Sequence, residues 1–308
     1  MYLNFYFIKI IKFLYTRLSY HFKSLEKTSL SHYYDWFLIK NLGSNHGRRL
    51  RYIEELSDEN KKKYLKFTKQ TLSNKKIGKN YNIYIGDSHA EFYGRNFAEN
   101  NDTKNIFLSI WTGPTLLLSF CKSNKIYSKT IFLIKKIISH YGYKNNYNLI
   151  LCFGEIDIRN LFYQILYVFN LKSEDELFED YADSLKKIIE IYSEMFPDLN
   201  FYFYEIAPTT NIIGKEPTNQ NEIDEISLNE KFPVLGNFRK RIYWQKKLCE
   251  KIKQLKNYLT YISRNKSHYN EIGGINKVFG DEFHITKKNK IIELQNEFKK
   301  KINENRIN

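Results

Sequence analysis

The stretch Asn82-Ile-Tyr-Ile-Gly86-Asp87-Ser88-His89 is the strongest indication of the fold. A short apolar run that ends in glycine and polar residues is typical of a buried strand followed by a tight turn. Similar runs recur toward the C-terminus and alternate there with helical patterns. Residues 1–79, in contrast, contain little strand signal and read as helical pieces rich in Lys, Tyr and Phe.

Five strands are expected in the second part of the chain, at residues 82–86, 105–111, 148–154, 199–206 and 258–263. Apolar residues spaced by three and four indicate helices at 178–195, 238–255 and 291–302. Such alternation predicts an α/β domain in which helices cover both faces of a mainly parallel sheet. We therefore divide the chain into a basic, aromatic helical extension (1–79) and one α/β domain (80–308). The polar insertion at about 209–235 is expected to be either a functional lid or disordered.

Composition excludes several classes of protein. Of 308 residues, 42% are hydrophobic and 27% charged, which is typical of a globular chain. The net charge of +15 is spread along the chain, so nucleic-acid binding is not expected. Cys121, Cys152 and Cys249 are odd in number and far apart, which predicts a reducing, cytoplasmic setting without a structural metal. The apolar, basic residues 1–25 either dock on the domain or lie on a membrane surface.

Polar motifs follow four of the five predicted strands. In parallel α/β sheets, binding sites form at the carboxyl ends of the strands. The four motifs are Gly86-Asp87-Ser88-His89, Trp111-Thr112-Gly113-Pro114, Gly154-Glu155-Ile156-Asp157-Ile158-Arg159 and, beyond the fifth strand, Asp281-Glu282-Phe283-His284. A serine hydroxyl near neutral pH needs an adjacent base to act as a nucleophile. One pocket at this edge of the sheet would therefore gather a serine, a glycine, an acidic turn and an Asp-x-x-His pair.

This ordered set resembles the SGNH (GDSL-like) hydrolase family over about residues 80–300. The resemblance implies a three-layer α/β/α sandwich of flavodoxin-like type with Ser88 as nucleophile, His284 as general base and Asp281 as the carboxylate that orients it. It also implies that the backbone N–H groups of Ser88 and Gly113 form the oxyanion hole. Ile156 stands where the family usually has an asparagine donor, which predicts a slow hydrolase, a replacement donor or a different reaction.

A subgroup of SGNH-like proteins linked to surface-polysaccharide synthesis resembles this chain further. The shared patterns are Gly-Glu-Ile-Asp-x-Arg at 154–159 and Pro-x-x-Gly at 233–236, followed by Arg241. The resemblance implies a cofactor-free ester hydrolase or O-acetyltransferase with a carbohydrate or acylated-glycan substrate. A catalytically inactive glycan-binding or scaffold protein is the alternative.

Several of these residues have a second interpretation. Ser88, Asp87 and Asp281 are also suitable helix caps. Asp87, Glu155 and Asp157 are candidates for substrate binding, and the last two equally for capping backbone groups. Arg159 and Arg241 are candidates for substrate contacts, and Arg159, if buried, is expected to pair with Asp157 or an anionic substrate. His89 is expected to pack at the helix start. The oligomeric state cannot be read from these patterns.

Overall fold

The computed structural model describes residues 80–94, 105–112, 116–142, 146–230, 233–279 and 288–307. The expected N-terminal extension lies outside these residues, so its helices and the membrane contact of residues 1–25 stay predictions. None of the helices in the described ranges is both long enough and apolar enough to cross a membrane.

The centre of the fold is a parallel sheet of five strands in the order β2-β1-β3-β4-β5. This arrangement confirms the prediction of a parallel five-stranded sheet. It is also the strand order of flavodoxin-like folds. The strands are β1 (Asn80–Gly86), β2 (Asn105–Trp111), β3 (Asn146–Cys152), β4 (Leu199–Tyr204) and β5 (Thr260–Ile262).

Seven α-helices connect and cover these strands within the described residues. Between β3 and the next α-helix the chain forms two π-helical turns, Asp157–Leu161 and Gln164–Val168, and single 3-10 turns occur at Lys266–His268 and Lys277–Phe279. The α-helices are α1 (Ser88–Tyr93), α2 (Leu117–Lys122), α3 (Asn124–Tyr141), α4 (Glu174–Met195), α5 (Gln220–Asn229), α6 (Phe238–Lys253) and α7 (Lys288–Ile307).

Two separate apolar cores show that helices cover both faces of the sheet. Alternate strand residues such as Ile83, Leu149 and Phe203 pack with α2, α3, α4 and α6. The intervening residues, such as Tyr84 and Ile150, pack with α1 and α7. Since successive strand side chains point to opposite faces, this division follows from the two-residue period of the strands. The three-layer α/β/α architecture implied by the SGNH resemblance is thus confirmed.

The predicted bounds of four strands differ from the observed bounds: β1 and β3 each begin two residues earlier, β4 ends at Tyr204 and not at residue 206, and the ends of β3 and β5 differ as well. β3 ends at Cys152 and not at residue 154, because Gly154 adopts a φ of 106° that turns the chain out of the sheet. β5 is shorter than expected and pairs with β4 through three residues, Thr260–Ile262. Strand existence was therefore predicted correctly, while these boundaries depended on backbone geometry at the sheet edge.

A ladder of asparagine side chains crosses the sheet. Nδ2 of Asn148 donates to Oδ1 of Asn82 at 2.8 Å, and Nδ2 of Asn200 donates to Oδ1 of Asn148 at 3.1 Å. These residues face each other in the register of β1, β3 and β4. Asn82 and Asn148 are buried, so a one-residue slip of a strand would leave their amides without these partners.

We expect Asn148→Ala to lower the free energy of unfolding by about 1–3 kcal/mol, because the buried Oδ1 of Asn82 loses its partner. Asn146→Ala, at the exposed start of the same strand, is the matched control and should change stability by less than about 0.5 kcal/mol. Urea unfolding followed by circular dichroism measures both. Equal midpoints for the two variants would show that the ladder does not stabilise the sheet.

Candidate active site

The carboxyl ends of β1 and β3 form the crevice in which the candidate site lies. The chain leaves β1 toward β2 on one side and later returns to β3 on the other, which makes this the topological switch point of the sheet. Gly86 is the last residue of β1, and any Cβ there would collide with the carbonyl oxygen of Cys152 at the end of β3. Glycine therefore lets the two strand ends approach closely.

Asp87 and His89 form a buried pair directly after β1. Oδ1 of Asp87 accepts from the backbone N–H of His89 at 2.9 Å and lies 3.0 Å from Nδ1 of its ring. This contact caps the first turn of α1, so the capping interpretation of Asp87 and the packing interpretation of His89 describe what is observed. Burial, the largest single cause, disfavours the imidazolium form of His89, but the charge and hydrogen bond of Asp87 together with the charge of Glu155 outweigh it and raise the pKa of His89 above its usual value.

The sequence-predicted nucleophile and its partners are described to different extents. Ser88 is the first residue of α1 and follows the carboxyl end of β1 directly. Gly113, Asp281 and His284 lie outside the described residues. Thr112 precedes Gly113, and both its N–H and its hydroxyl donate to the carbonyl of Gly86 at 2.9 Å. The end of β2 is thereby tied to the turn that carries Ser88.

Glu155 and Arg159 form an ion pair across one helical turn after β3. Nε of Arg159 lies 3.0 Å from Oε1 and 3.2 Å from Oε2 of Glu155. The expected pairing of Arg159 with Asp157 was wrong, because residues four apart share a face of a helical turn and residues two apart do not. Ile156 is buried with 4% of its surface exposed and carries no donor that could act in place of the missing asparagine.

Asp157 is fully buried and holds the start of α2. Its Oδ2 accepts from the N–H of Leu117 at 2.9 Å, and its Oδ1 accepts from the hydroxyl of Tyr181 at 2.5 Å. The structure thus shows the backbone-capping interpretation of Asp157. Burial raises the pKa of Asp157 to about 6, although these hydrogen bonds act in the opposite direction. The loop from β2 is therefore anchored beyond Gly113 as well as before it.

Arg241 holds the neck of the insertion at 209–235. This buried side chain of α6 donates to the carbonyls of Thr210 (3.2 Å), Ile212 (2.6 Å) and Leu235 (3.4 Å), and also to that of Gly236. Burial lowers the pKa of Arg241 to about 10. The described part of the insertion contains α5, and its action as a lid stays a prediction.

The two motifs that resemble the polysaccharide-linked subgroup, at residues 154–159 and 233–241, lie side by side in the fold. The N–H of Leu235 donates to the carbonyl of Arg159 at 2.8 Å. Nδ2 of Asn160 donates to the carbonyl of Pro233 at 3.1 Å, and its Oδ1 accepts from Gln164. Residues 154–160 and 233–241, which are about 75 positions apart in the sequence, therefore form one structural unit. The amide of Asn160 thus joins the two motifs through its nitrogen and binds the second π-helical turn through its oxygen.

Arg264 is a buried charge of this region that the sequence analysis missed. It follows β5, its N–H and Nε donate to Oε2 and the backbone carbonyl of Glu205 (3.1 and 2.6 Å), and its guanidinium lies over the rings of Tyr93 and Tyr204. Arg264, Glu155, Glu205 and His89 line one narrow cleft. The missed signal is a charged residue shortly after a strand, the same signal that was used for the other strand ends.

Among the described residues, no three His, Cys, Asp or Glu side chains are grouped so that they could hold a metal ion. No protein-family model matches the sequence, and a comparison with curated proteins found no match.

A comparison with solved structures found similar chains at low sequence identity. A Salmonella ser. Paratyphi A lipopolysaccharide acetyltransferase periplasmic domain is 16% identical, with a TM-score of 0.41 over 84% of this chain and 98% of that one. A GDSL-like lipase from Bacteroides thetaiotaomicron is 9% identical, with a TM-score of 0.42 over 84% and 98%. A Streptococcus pneumonia protein named for platelet activating factor is 14% identical, with a TM-score of 0.44 over 82% and 97%.

The raised pKa of Asp157 predicts a pH-dependent stability. Because the folded protein holds this proton more tightly than an unfolded chain, the contribution of Asp157 to stability is greatest below about pH 4 and is lost as the pH rises through about 6. We expect the unfolding free energy of the wild type, relative to Asp157→Asn, to fall by about 2–3 kcal/mol between pH 4 and pH 7. Urea titrations at several pH values measure this difference, and a pH-independent difference would contradict it.

Proposed function

We propose that the chain is a serine-dependent ester hydrolase or O-acyltransferase that acts on an acylated carbohydrate through an acyl-enzyme. Ser88 is the proposed nucleophile, His284 the base and Asp281 the carboxylate that orients its ring. The observation that carries the proposal is the position of Ser88. It begins α1 at the carboxyl end of β1, at the switch point where parallel α/β sheets bind their ligands.

The contacts of the neighbouring acidic residue and histidine support a base from elsewhere in the chain. Asp87 binds the backbone and ring of His89, and both side chains are buried. The Asp87–His89 pair therefore shapes the turn of the nucleophile. A base that takes the proton of Ser88 and returns it to the leaving group must come from another segment, as the Asp-x-x-His motif after β5 provides.

The packing of α7 supports this assignment. The segment with Asp281 and His284 joins the 3-10 turn Lys277–Phe279 to α7. Nε2 of Gln295, two turns into α7, donates to the carbonyl of Tyr93 at 2.8 Å. Tyr93 is the last residue of the helix that Ser88 begins. Ser88 thus begins one helix and the segment with Asp281 and His284 precedes another, and these two helices pack against each other on one face of the sheet.

The burial of Ile156 bears on the proposed rate. Its apolar side chain donates no hydrogen bond, while Arg159 and Asn160, the nearby donors, bind Glu155 and Pro233. Two backbone N–H groups, those of Ser88 and Gly113, are then the proposed oxyanion donors. Loss of one donor usually costs about 10²–10³ in rate, so we expect slow turnover compared with a site that has three donors.

Ser88→Ala should abolish labelling by a fluorophosphonate probe and lower kcat/KM on p-nitrophenyl acetate by about 10⁴-fold or more, because the nucleophile is lost. Ser119→Ala, at an exposed serine of α2, is the control and should label as the wild type does. Gel fluorescence and absorbance assays measure the two effects. Equal labelling of wild type and Ser88→Ala would refute the nucleophile, and sugar binding without turnover would favour the non-catalytic alternative that Ile156 suggests.

Hydrolysis and transfer share the acyl-enzyme and differ in the acceptor, so the ratio of products separates them. With p-nitrophenyl acetate alone, one acetate should appear for each nitrophenol. If the protein is a transferase, adding a glycan acceptor should lower this ratio below one while nitrophenol release stays equal or rises. Acetate is quantified by NMR and nitrophenol by absorbance. A ratio that stays at one for every acceptor would argue against transfer.

A further inference from the structure

A cleft that no proposed reaction step uses lies between α6 and the loop that follows β5. Its volume of about 570 Å³ is in the usual range of small-molecule sites, about 300–1,000 Å³. Lys246 and Lys253 of α6 line one side, and Lys266 and Tyr269 line the other. We call it the lysine cleft.

The lysine cleft adjoins the candidate active site. Glu205, the residue after β4, lines both the lysine cleft and the narrow cleft that contains His89 and Glu155. Its carboxylate accepts from the hydroxyl of Tyr269 at 2.5 Å and from the N–H of Arg264 at 3.1 Å. A ligand in the lysine cleft would therefore extend toward the strand ends where Ser88 begins α1.

The wall of the cleft formed by residues 269–275 is held in place before any ligand binds. Oδ1 of Asn270 accepts from the N–H groups of Gly274 (2.8 Å) and Ile272 (3.1 Å). Nδ2 of Asn270 donates to Asn211, whose own amide donates to the carbonyl of Ile275. A wall that is already ordered loses little conformational entropy on binding, which favours recognition of a specific ligand.

The lining of the lysine cleft contains more lysines than carboxylates that no other lysine binds. Within the described ranges, no carboxylate oxygen lies within 4 Å of the ammonium group of Lys246, Lys253 or Lys266, and Lys253 lies over the ring of Tyr261. Of the three carboxylates in the lining, Glu205 is engaged as described and Glu250 pairs with Lys247 at 3.4 Å. The tyrosine hydroxyl and the backbone N–H leave the negative charge of Glu205 in place, so three lysines face two carboxylates that no lysine binds, those of Glu205 and the exposed Glu271.

We propose that the lysine cleft binds the anionic part of the glycan substrate, a sugar that carries a carboxylate or a phosphate. Lysine ammonium groups bind such anions as point charges. The proposal rests on the proposed function, because it places the sugar beside the crevice in which the ester reacts. It specifies the substrate class as an anionic glycan and excludes a neutral one.

Binding is tested without turnover, using the full-length Ser88→Ala chain and ligand-observed NMR titrations with glucuronate, glucose 1-phosphate and glucose. We expect at least one anionic sugar to bind about tenfold more tightly than glucose, and the difference to shrink at high salt because exposed charges are screened. Preference for glucuronate would indicate a uronic acid as the natural source of the charge, and preference for glucose 1-phosphate a phosphosugar.

Two charge-matched variants test where binding occurs. Lys246→Gln/Lys266→Gln should weaken binding of the preferred anionic sugar about fivefold to tenfold, because each exposed ion pair contributes up to about 1 kcal/mol. Lys135→Gln/Lys187→Gln removes the same net charge at exposed lysines outside the cleft and should leave binding unchanged.

Equal affinity for glucose and both anions, absence of binding by all three sugars, or equal losses in the two double variants would overturn the proposal. These outcomes are separate from those of the proposed function. Charge-selective binding in a chain that lacks Ser88-dependent activity would refute the reaction and leave the lysine cleft standing. Ser88-dependent activity without charge selectivity would do the reverse.

Discussion

The close approach of β1 and β3 at their carboxyl ends is the constraint on which the candidate site depends. Gly86 permits it, because any larger residue would meet the carbonyl of Cys152. The turn after β1 and the turn after β3 then share one crevice, where Asp87 and Glu155 both act on the charge state of His89. Separating the two strands would remove the environment in which Ser88 begins its helix, whatever the chemistry of the individual side chains.

Buried charges hold the segments that surround this crevice. Asp157 binds the backbone at the start of α2, and Arg241 binds four carbonyls at the neck of the insertion. A buried charge is costly unless hydrogen bonds satisfy it, so each of these groups is stable only while its loop stays in place. The buried acidic and basic residues thus hold the backbone around the site. The lysines of the lysine cleft, in contrast, are exposed to solvent.

Much of the fold could be predicted because the decisive signals are local. The two-residue period of the strands and the three- and four-residue spacing in α4, α6 and α7 follow from backbone geometry, and a sheet covered on both faces follows from their alternation. The ends of β3 and β5 could not be predicted, since they depend on the φ of Gly154 and on pairing with β4. The sequence also indicated that 154–159 and 233–241 matter, without showing that they touch.

Residue patterns were thus sufficient to predict the α/β class, the parallel sheet and the strand ends at which polar motifs lie. The partners of those motifs depended on the folded chain: Arg159 binds Glu155, Asp157 binds α2, and Arg264 joins β5 to Glu205. The physical reason is the range of the interactions. Hydrophobic periodicity acts between residues a few positions apart, whereas the hydrogen bond between Asp157 and Leu117 joins groups 40 positions apart, which meet only after the strands have paired.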